Sequence, residues 1–140
     1  MPFIPYLSFQ GQCAEAFAYY GKVFGATPQT SAFSEAPKDA GMPDLPPEQR
    51  SWLMHAQIET PDGVLMGADM PPQFGGVAQA GVSIAVSRAD EAAGRALFEA
   101  LAQGGRVTMP YGATFFAGGF GMCVDRFGTS WMVSHGMIES

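Results

Sequence analysis

Positive charge is scarce in this sequence. Only seven Lys and Arg residues occur in 140, and Lys22, Lys38, Arg50, Arg88, Arg95, Arg106 and Arg126 are scattered along it. They cannot form a basic patch, which excludes nucleic acid and anionic membrane surfaces as expected partners. Cysteine is nearly missing as well. Cys13 and Cys123 stand in no CxxC or CxxH spacing, so both are expected as reduced packing residues in a cytoplasmic protein. No apolar run approaches the roughly 20 residues needed to span a bilayer. The opening Met1-Pro2-Phe3-Ile4-Pro5 lacks the basic segment and apolar stretch of a signal peptide.

What is present fits a folded domain. Hydrophobic residues make up 47% of the chain and charged ones 14%, a balance that favours a compact globule over a disordered segment. A length of 140 residues suits one domain with a real core. The net charge of −6 tolerates a cationic small molecule and serves equally well as a solubility device.

Hydrophobic periodicity divides the chain into two similar stretches. Leu7-Ser8-Phe9 alternates like a half-buried strand. A helix is predicted from about Ala14 to Phe24, with Cys13, Ala16, Phe17, Tyr20, Val23 and Phe24 on one face and Gly25 as its stop. A strand near Thr30 and a long Pro- and Ser-rich loop to about residue 50 follow. Trp52–Glu59 and Val64–Ala68 read as a hairpin around Thr60-Pro61-Asp62-Gly63, and Asp69–Gln79 as a linker. Beyond it Val82–Val86 is a strand, and Asp90–Gln103 a helix burying Ala93, Leu97, Ala100 and Leu101. Strands are then expected near Arg106–Met109, Gly121–Val124 and Thr129–Ser134. The order is strand, helix and about three strands, twice, with each helix covering one face of its sheet.

Pro5-Tyr6-Leu7-Ser8-Phe9, Gly11, Glu15-Ala16, Tyr19-Tyr20 and Val23-Phe24-Gly25 resemble the opening of PhnB-like proteins of the vicinal oxygen chelate superfamily (glyoxalase, bleomycin resistance, dioxygenase). Met54-His55-Ala56 extends the resemblance. The most specific stretch is Thr114-Phe115-Phe116-Ala117-Gly118-Gly119-Phe120-Gly121-Met122 with Asp125-Arg126-Phe127-Gly128-Thr129-Ser130-Trp131. The resemblance implies one α+β domain of two βαβββ modules, about residues 1–70 and 80–138. Together these would form a cup-shaped mixed sheet, in a homodimer. It also implies, for catalytic members, a divalent metal held by four His, Glu or Gln side chains. Such an ion would polarise vicinal oxygens as a Lewis acid. The matching positions here are Ile4 (or Pro5), Met66, Gly81 and Met132. None offers a hard oxygen or imidazole ligand, and thioether sulfur suits soft ions such as Cu(I). No cofactor and no divalent metal are therefore expected. Some relatives are described as ubiquinone methyltransferases, but no glycine-rich turn runs from a strand into a helix to hold an adenosine group.

Strand parity selects the polar candidates. Met54, Ala56 and Ile58 claim one face, which leaves His55, Gln57 and Glu59 on the other. On a cup-lining face His55 would act as general base or orient a ligand; elsewhere it would be a half-exposed sheet residue. Tyr6, Ser8 and Ser83 are placed by parity as ligand hydrogen-bonding groups or fillers of small polar gaps. Met66 and Met132 lie at the base of the expected cup. Phe115, Phe116 and Phe120 line a mobile mouth or pack on a partner chain. Trp131 is expected in the core and His135 at the surface. Three functions fit: a metal-independent small-molecule-binding protein, a glyoxalase-related lyase or isomerase using His55 with Tyr6 or Ser8, and a structural dimer with a vestigial site.

Overall fold

The computed structural model describes residues 2–37 and 45–138, so part of the expected loop after residue 32 lies outside it. Two compact units emerge, Met1–Gln79 and Ala80–Ser140. The first runs β1 (Tyr6–Phe9), α1 (Cys13–Phe24), β2 (Gln29–Ala32), β3 (Leu53–Thr60) and β4 (Gly63–Asp69). The second runs β5 (Ser83–Arg88), α2 (Glu91–Ala102), β6 (Arg106–Gly112), β7 (Ala117–Val124) and β8 (Ser130–Met137). Their topologies are identical. The strand orders are β1-β4-β3-β2 and β5-β8-β7-β6, with only the β1/β4 and β5/β8 contacts parallel. Each unit is thus βαβββ with an α+β mixed sheet.

The apolar stripe of α1 explains its seat. Cys13, Ala16, Phe17 and Tyr20 are buried. A Cβ on Gly67 would lie 2.8 Å from the Phe17 ring, so only glycine lets the helix approach β4 this closely. Gly67 is in register with Leu7 and Ala56, which puts those two on the helix side. Gly25 ends the helix in the left-handed conformation at φ 73°, where glycine bears no Cβ penalty.

The start of α1 is held from afar. Gln12 makes no side-chain cap. Instead Asp69, 1% exposed, accepts from the N–H groups of Gly11 (2.7 Å) and Cys13 (3.0 Å) through Oδ1 and of Leu53 (2.8 Å) through Oδ2. Asp69 therefore ends β4 and does not begin a linker, as the proline-rich residues after it suggested. The α2 start uses the local solution, with Asp90 accepting from the Ala93 N–H at 2.9 Å.

In the second unit α2 buries Gly94, Leu97, Phe98 and Leu101, so Phe98 and Gly94 replace the expected Ala93 and Ala100. A Cβ on Gly121 would lie 2.8 Å from the Phe98 ring. Trp131 is 1% exposed and donates from Nε1 to Asp125 Oδ2 at 2.8 Å. Asp125 also accepts from the Phe127 and Thr129 N–H groups and so organises the β7–β8 turn. Strand β7 begins at Ala117, four residues earlier than expected, because its glycines accommodate neighbours. A Cβ on Gly119 would overlap the His135 ring, and one on Gly118 would stand 3.0 Å from it.

Replacing Asp69 with Ala strands three N–H donors at once, so a loss of about 3 kcal/mol or more is expected. Asp69→Asn, which keeps one acceptor oxygen, should lose less. Urea unfolding with an unchanged m-value is the measurement, and an Asp69→Ala midpoint matching the parent would contradict the account.

Candidate functional site

Register settles which side chains share the sheet face turned away from α1. Tyr6 of β1 is opposite Met66 of β4, Met66 opposite Gln57 of β3, and Gln57 opposite Gln29 of β2. Ser8, His55 and Ser31 lie on the same face one step along. Four of the expected residues of the first unit, Tyr6, His55, Gln57 and Met66, are thereby brought together, with Ser8 beside them.

These groups form a hydrogen-bonded chain. Tyr6 Oη lies 2.9 Å from His55 Nδ1, and His55 Nε2 lies 2.9 Å from Gln57 Oε1. A carboxamide oxygen accepts only, so Nε2 carries the proton and Nδ1 accepts from the phenol. Tyr6 is 52% exposed and keeps an oxygen lone pair free for a ligand, while the Gln57 amide nitrogen remains a donor. Burial, the leading cause, raises the Tyr6 phenol above its ordinary value, so it stays protonated near neutrality. Glu59 is the one ionisable carboxylate on this face, and Lys and Arg are absent among its described residues. The face therefore suits neutral or cationic molecules better than anions.

In the second unit the face away from α2 carries Ser83, Ala85 and Ser87 of β5 opposite Ser130, Met132 and Ser134 of β8. Ser83 is exposed and Met132 half-buried. Phe115 stands at the tip of the β6–β7 connection, 92% exposed, its ring edge-on to Phe116 at 5.2 Å. That connection is a hydrogen-bonded turn, with Thr114 N–H donating to the Ala117 carbonyl at 3.0 Å.

One polar cluster escaped the sequence reading. His135 was expected at the surface, yet its side chain is 13% exposed and stacks on Tyr111 at 5.8 Å. Its Nδ1 lies 2.6 Å from Tyr111 Oη and its Nε2 3.6 Å from Glu91 Oε2. Burial first, and then Glu91, raise the Tyr111 phenol, while Arg95 opposes them. The cluster lies on the α2 side of the sheet, and a Cβ on Gly94 would overlap the Tyr111 hydroxyl. It therefore locks the first turn of α2 to the sheet. The sequence signal was the glycine run opposite His135, which becomes readable only with the register.

Neither thiol is a nucleophile. Burial, then the Asp69 carboxylate, push Cys13 up to about 12, and burial, then Asp125, push Cys123 up to about 11. Both stay protonated and unreactive near neutrality. Among the described residues no group of three or more His, Cys, Asp or Glu is placed to hold a metal ion. The positions matching the metal ligands of catalytic relatives do not fit a hard divalent ion. Met66 and Met132 offer only thioethers, and Gly81 has no side chain.

Comparison with known proteins fits this architecture. The family model described as 3-demethylubiquinone-9 3-methyltransferase matches residues 2–134. Protein YjdN of Escherichia coli (strain K12) is 32% identical over 140 residues, covering 96% of this chain and 95% of that one. A crystal structure of protein PA1353 from Pseudomonas aeruginosa superposes with a TM-score of 0.84 at 37% identity, covering 96% and 97%. A PhnB protein from Bacillus cereus gives 0.70 at 23% identity, covering 96% and 99%. A glyoxalase/bleomycin resistance protein/dioxygenase family enzyme from Burkholderia phytofirmans PsJN shares the fold, with a TM-score of 0.62 at 13% identity, covering 96% and 97%. The chain belongs to the family described as 3-demethylubiquinone-9 3-methyltransferase, and it has the glyoxalase-like fold seen in the PhnB protein and in the glyoxalase/bleomycin resistance protein/dioxygenase family enzyme.

The methyl-donor cofactor implied by the family description does not fit the residues present. A nucleotide is anchored where a strand turns into a helix N-terminus. Here the α1 terminus is filled by Asp69 and the α2 terminus by Asp90.

Proposed function

We propose that this chain binds a small, largely apolar or cationic molecule, without a hard divalent metal, on the open sheet face that carries Tyr6, His55 and Gln57. The observation that supports the reading is the Tyr6–His55–Gln57 chain, which holds the imidazole between a phenol and a carboxamide on a face whose described residues include no Lys or Arg. Ser8 and Met66 complete the ligand contacts of that face; in the second unit, taken by itself, Ser83, Met132 and Phe115 are the proposed ligand-contact residues. A half-exposed hydrogen-bonded chain of this kind orients a ligand, while the thioether adapts to its shape.

A second reading has its own support. Nδ1 of His55 accepts from Tyr6, so the pair has the makings of a general base with a phenol as the group next to substrate. That arrangement suits proton abstraction in a lyase or isomerase. The binding reading is preferred because the positions matching the metal ligands carry no hard donor to stabilise a developing oxyanion. A homodimer in the cytoplasm is part of the proposal. Phe3 and Val77 in the first unit and Val82, Phe115 and Ile138 in the second are exposed apolar side chains, and in the third reading contact of such residues with a second copy would be the chain's main role.

His55→Ala tests the site. Ligand-observed NMR on the full chain, with a panel of neutral and quaternary-ammonium aromatics, supplies the binder. The variant should keep its Tm and lose roughly tenfold or more in affinity for that binder. A sharply lowered Tm with unchanged affinity makes His55 structural and ends the proposal.

Elemental analysis after purification without added metal should give far less than one Zn, Ni, Mn or Fe per chain. Near-stoichiometric metal would favour the enzymatic reading. Light scattering at micromolar concentration should report about twice the 14.8 kDa chain mass, and a purely monomeric mass would refute the dimer.

A further inference from the structure

The register of the second sheet brings together three methionines that lie far apart in sequence. Met109 of β6 is the partner of Met122 of β7, and Met122 is the partner of Met132 of β8. Directly paired residues point to one face, and Met109 holds its pairing with Met122 between two register shifts of β6, so the three form a row across the sheet on the side away from α2. Ala85 of β5, the partner of Met132, ends the row with a side chain too small to cover it.

Met122 and Met132 are half-buried and Met109 is 41% exposed. Cross-strand Cβ atoms of paired residues lie about 4.5–5.5 Å apart. Methionine has three rotatable bonds between backbone and sulfur, so the two outer sulfurs can converge on the central one. Phe120 and Val124 flank Met122 on the same face of β7, and both are half-buried. Ser130 and Ser134 flank Met132 on β8, so the row sits among apolar side chains and neutral hydroxyls. Three neutral thioethers in that setting match a soft monovalent ion better than a hard, strongly hydrated one.

We propose that the Met109–Met122–Met132 row is a binding site for a soft monovalent d10 cation, copper(I) or silver(I), held by thioether sulfur alone. The cation replaces no charge partner, and the net charge of −6 favours its approach. The two thiols are not competing ligands. Cys13 is buried in the first turn of α1 and Cys123 on the helix-covered side of its sheet, and both are held protonated. The row rests on the register of the second sheet and not on the Tyr6–His55–Gln57 chain. Met132 figures in both assignments, but Met109 and Met122 belong to the cation site alone, so a Met122 variant bears on this proposal and not on the other.

The test uses the full chain, labelled with 13C at the methionine methyl groups and titrated with Ag(I). Three of the nine methionine signals should shift at one equivalent, assigned as Met109, Met122 and Met132 through single Leu variants. An anaerobic Cu(I) titration against a chromophoric chelator should then give one ion per chain. Met122→Leu, which keeps an apolar side chain of similar size, should weaken the site roughly tenfold or more. Cys13→Ser with Cys123→Ser should leave it intact. If that double variant does not fold, X-ray absorption on the parent chain decides between thioether and thiolate by the copper–sulfur distance. Unmoved methyl signals, a Met122→Leu affinity equal to the parent, or thiolate coordination would each overturn the proposal.

Discussion

One carboxylate fixes the first unit. Asp69 joins three segments that are distant in sequence: the turn before α1, the first residue of α1 and the first residue of β3. A buried charge is tolerated only when its lone pairs are filled, and here the fillers are backbone donors that would otherwise have no partner. Its negative charge also sits at the positive end of the α1 dipole. The consequence reaches the open face. Leu53, whose N–H Asp69 holds, lies two residues before His55, so anchoring the start of β3 helps set the imidazole between Tyr6 and Gln57. A single buried contact on the helix side thus positions a polar chain on the other side of the sheet.

The two units show how one topology diverges. In the first, the row across the sheet is Tyr6, Met66, Gln57, Gln29. In the second, the row through the topologically equivalent strands is Ala85, Met132, Met122, Met109. Only the methionine on the third strand of each chain-order triplet, β4 and β8, is shared. One row has become a hydrogen-bonding surface and the other a thioether surface. The strand ends diverged as well: Asp69 is in register with the last residue of β1, and His135 with the last residue of β5. Both contact the first turn of their helix region, one as a carboxylate on backbone donors and the other as an imidazole near Glu91.

Much of the fold was legible because local chemistry determined it. The three-four spacing of Cys13, Ala16, Phe17 and Tyr20, the stop at Gly25 and the Thr60–Gly63 turn all belong to short windows, and each appears where expected. The parity that put Tyr6, Ser8, His55 and Gln57 on one face follows from the period of a strand. What stayed hidden depended on register between strands. Nothing local told Asp69 from the proline-rich stretch after it, and the Gly118-Gly119 pair looked like a loop until His135 was placed opposite. The methionine row could not be read at all, since its members are separated along the chain and meet only through two pairings, the first of them set between two register shifts in β6.

The two helix starts also differ in when they can be completed. Asp90 caps α2 from three residues away, whereas Asp69 reaches the Cys13 N–H across 56. Closing the longer loop costs more chain entropy before any contact rewards it. In a chain leaving the ribosome, α2 has its starting signal in hand as soon as it is made. Helix α1 emerges without one, and must wait for both strands of the following hairpin before its first turn is anchored.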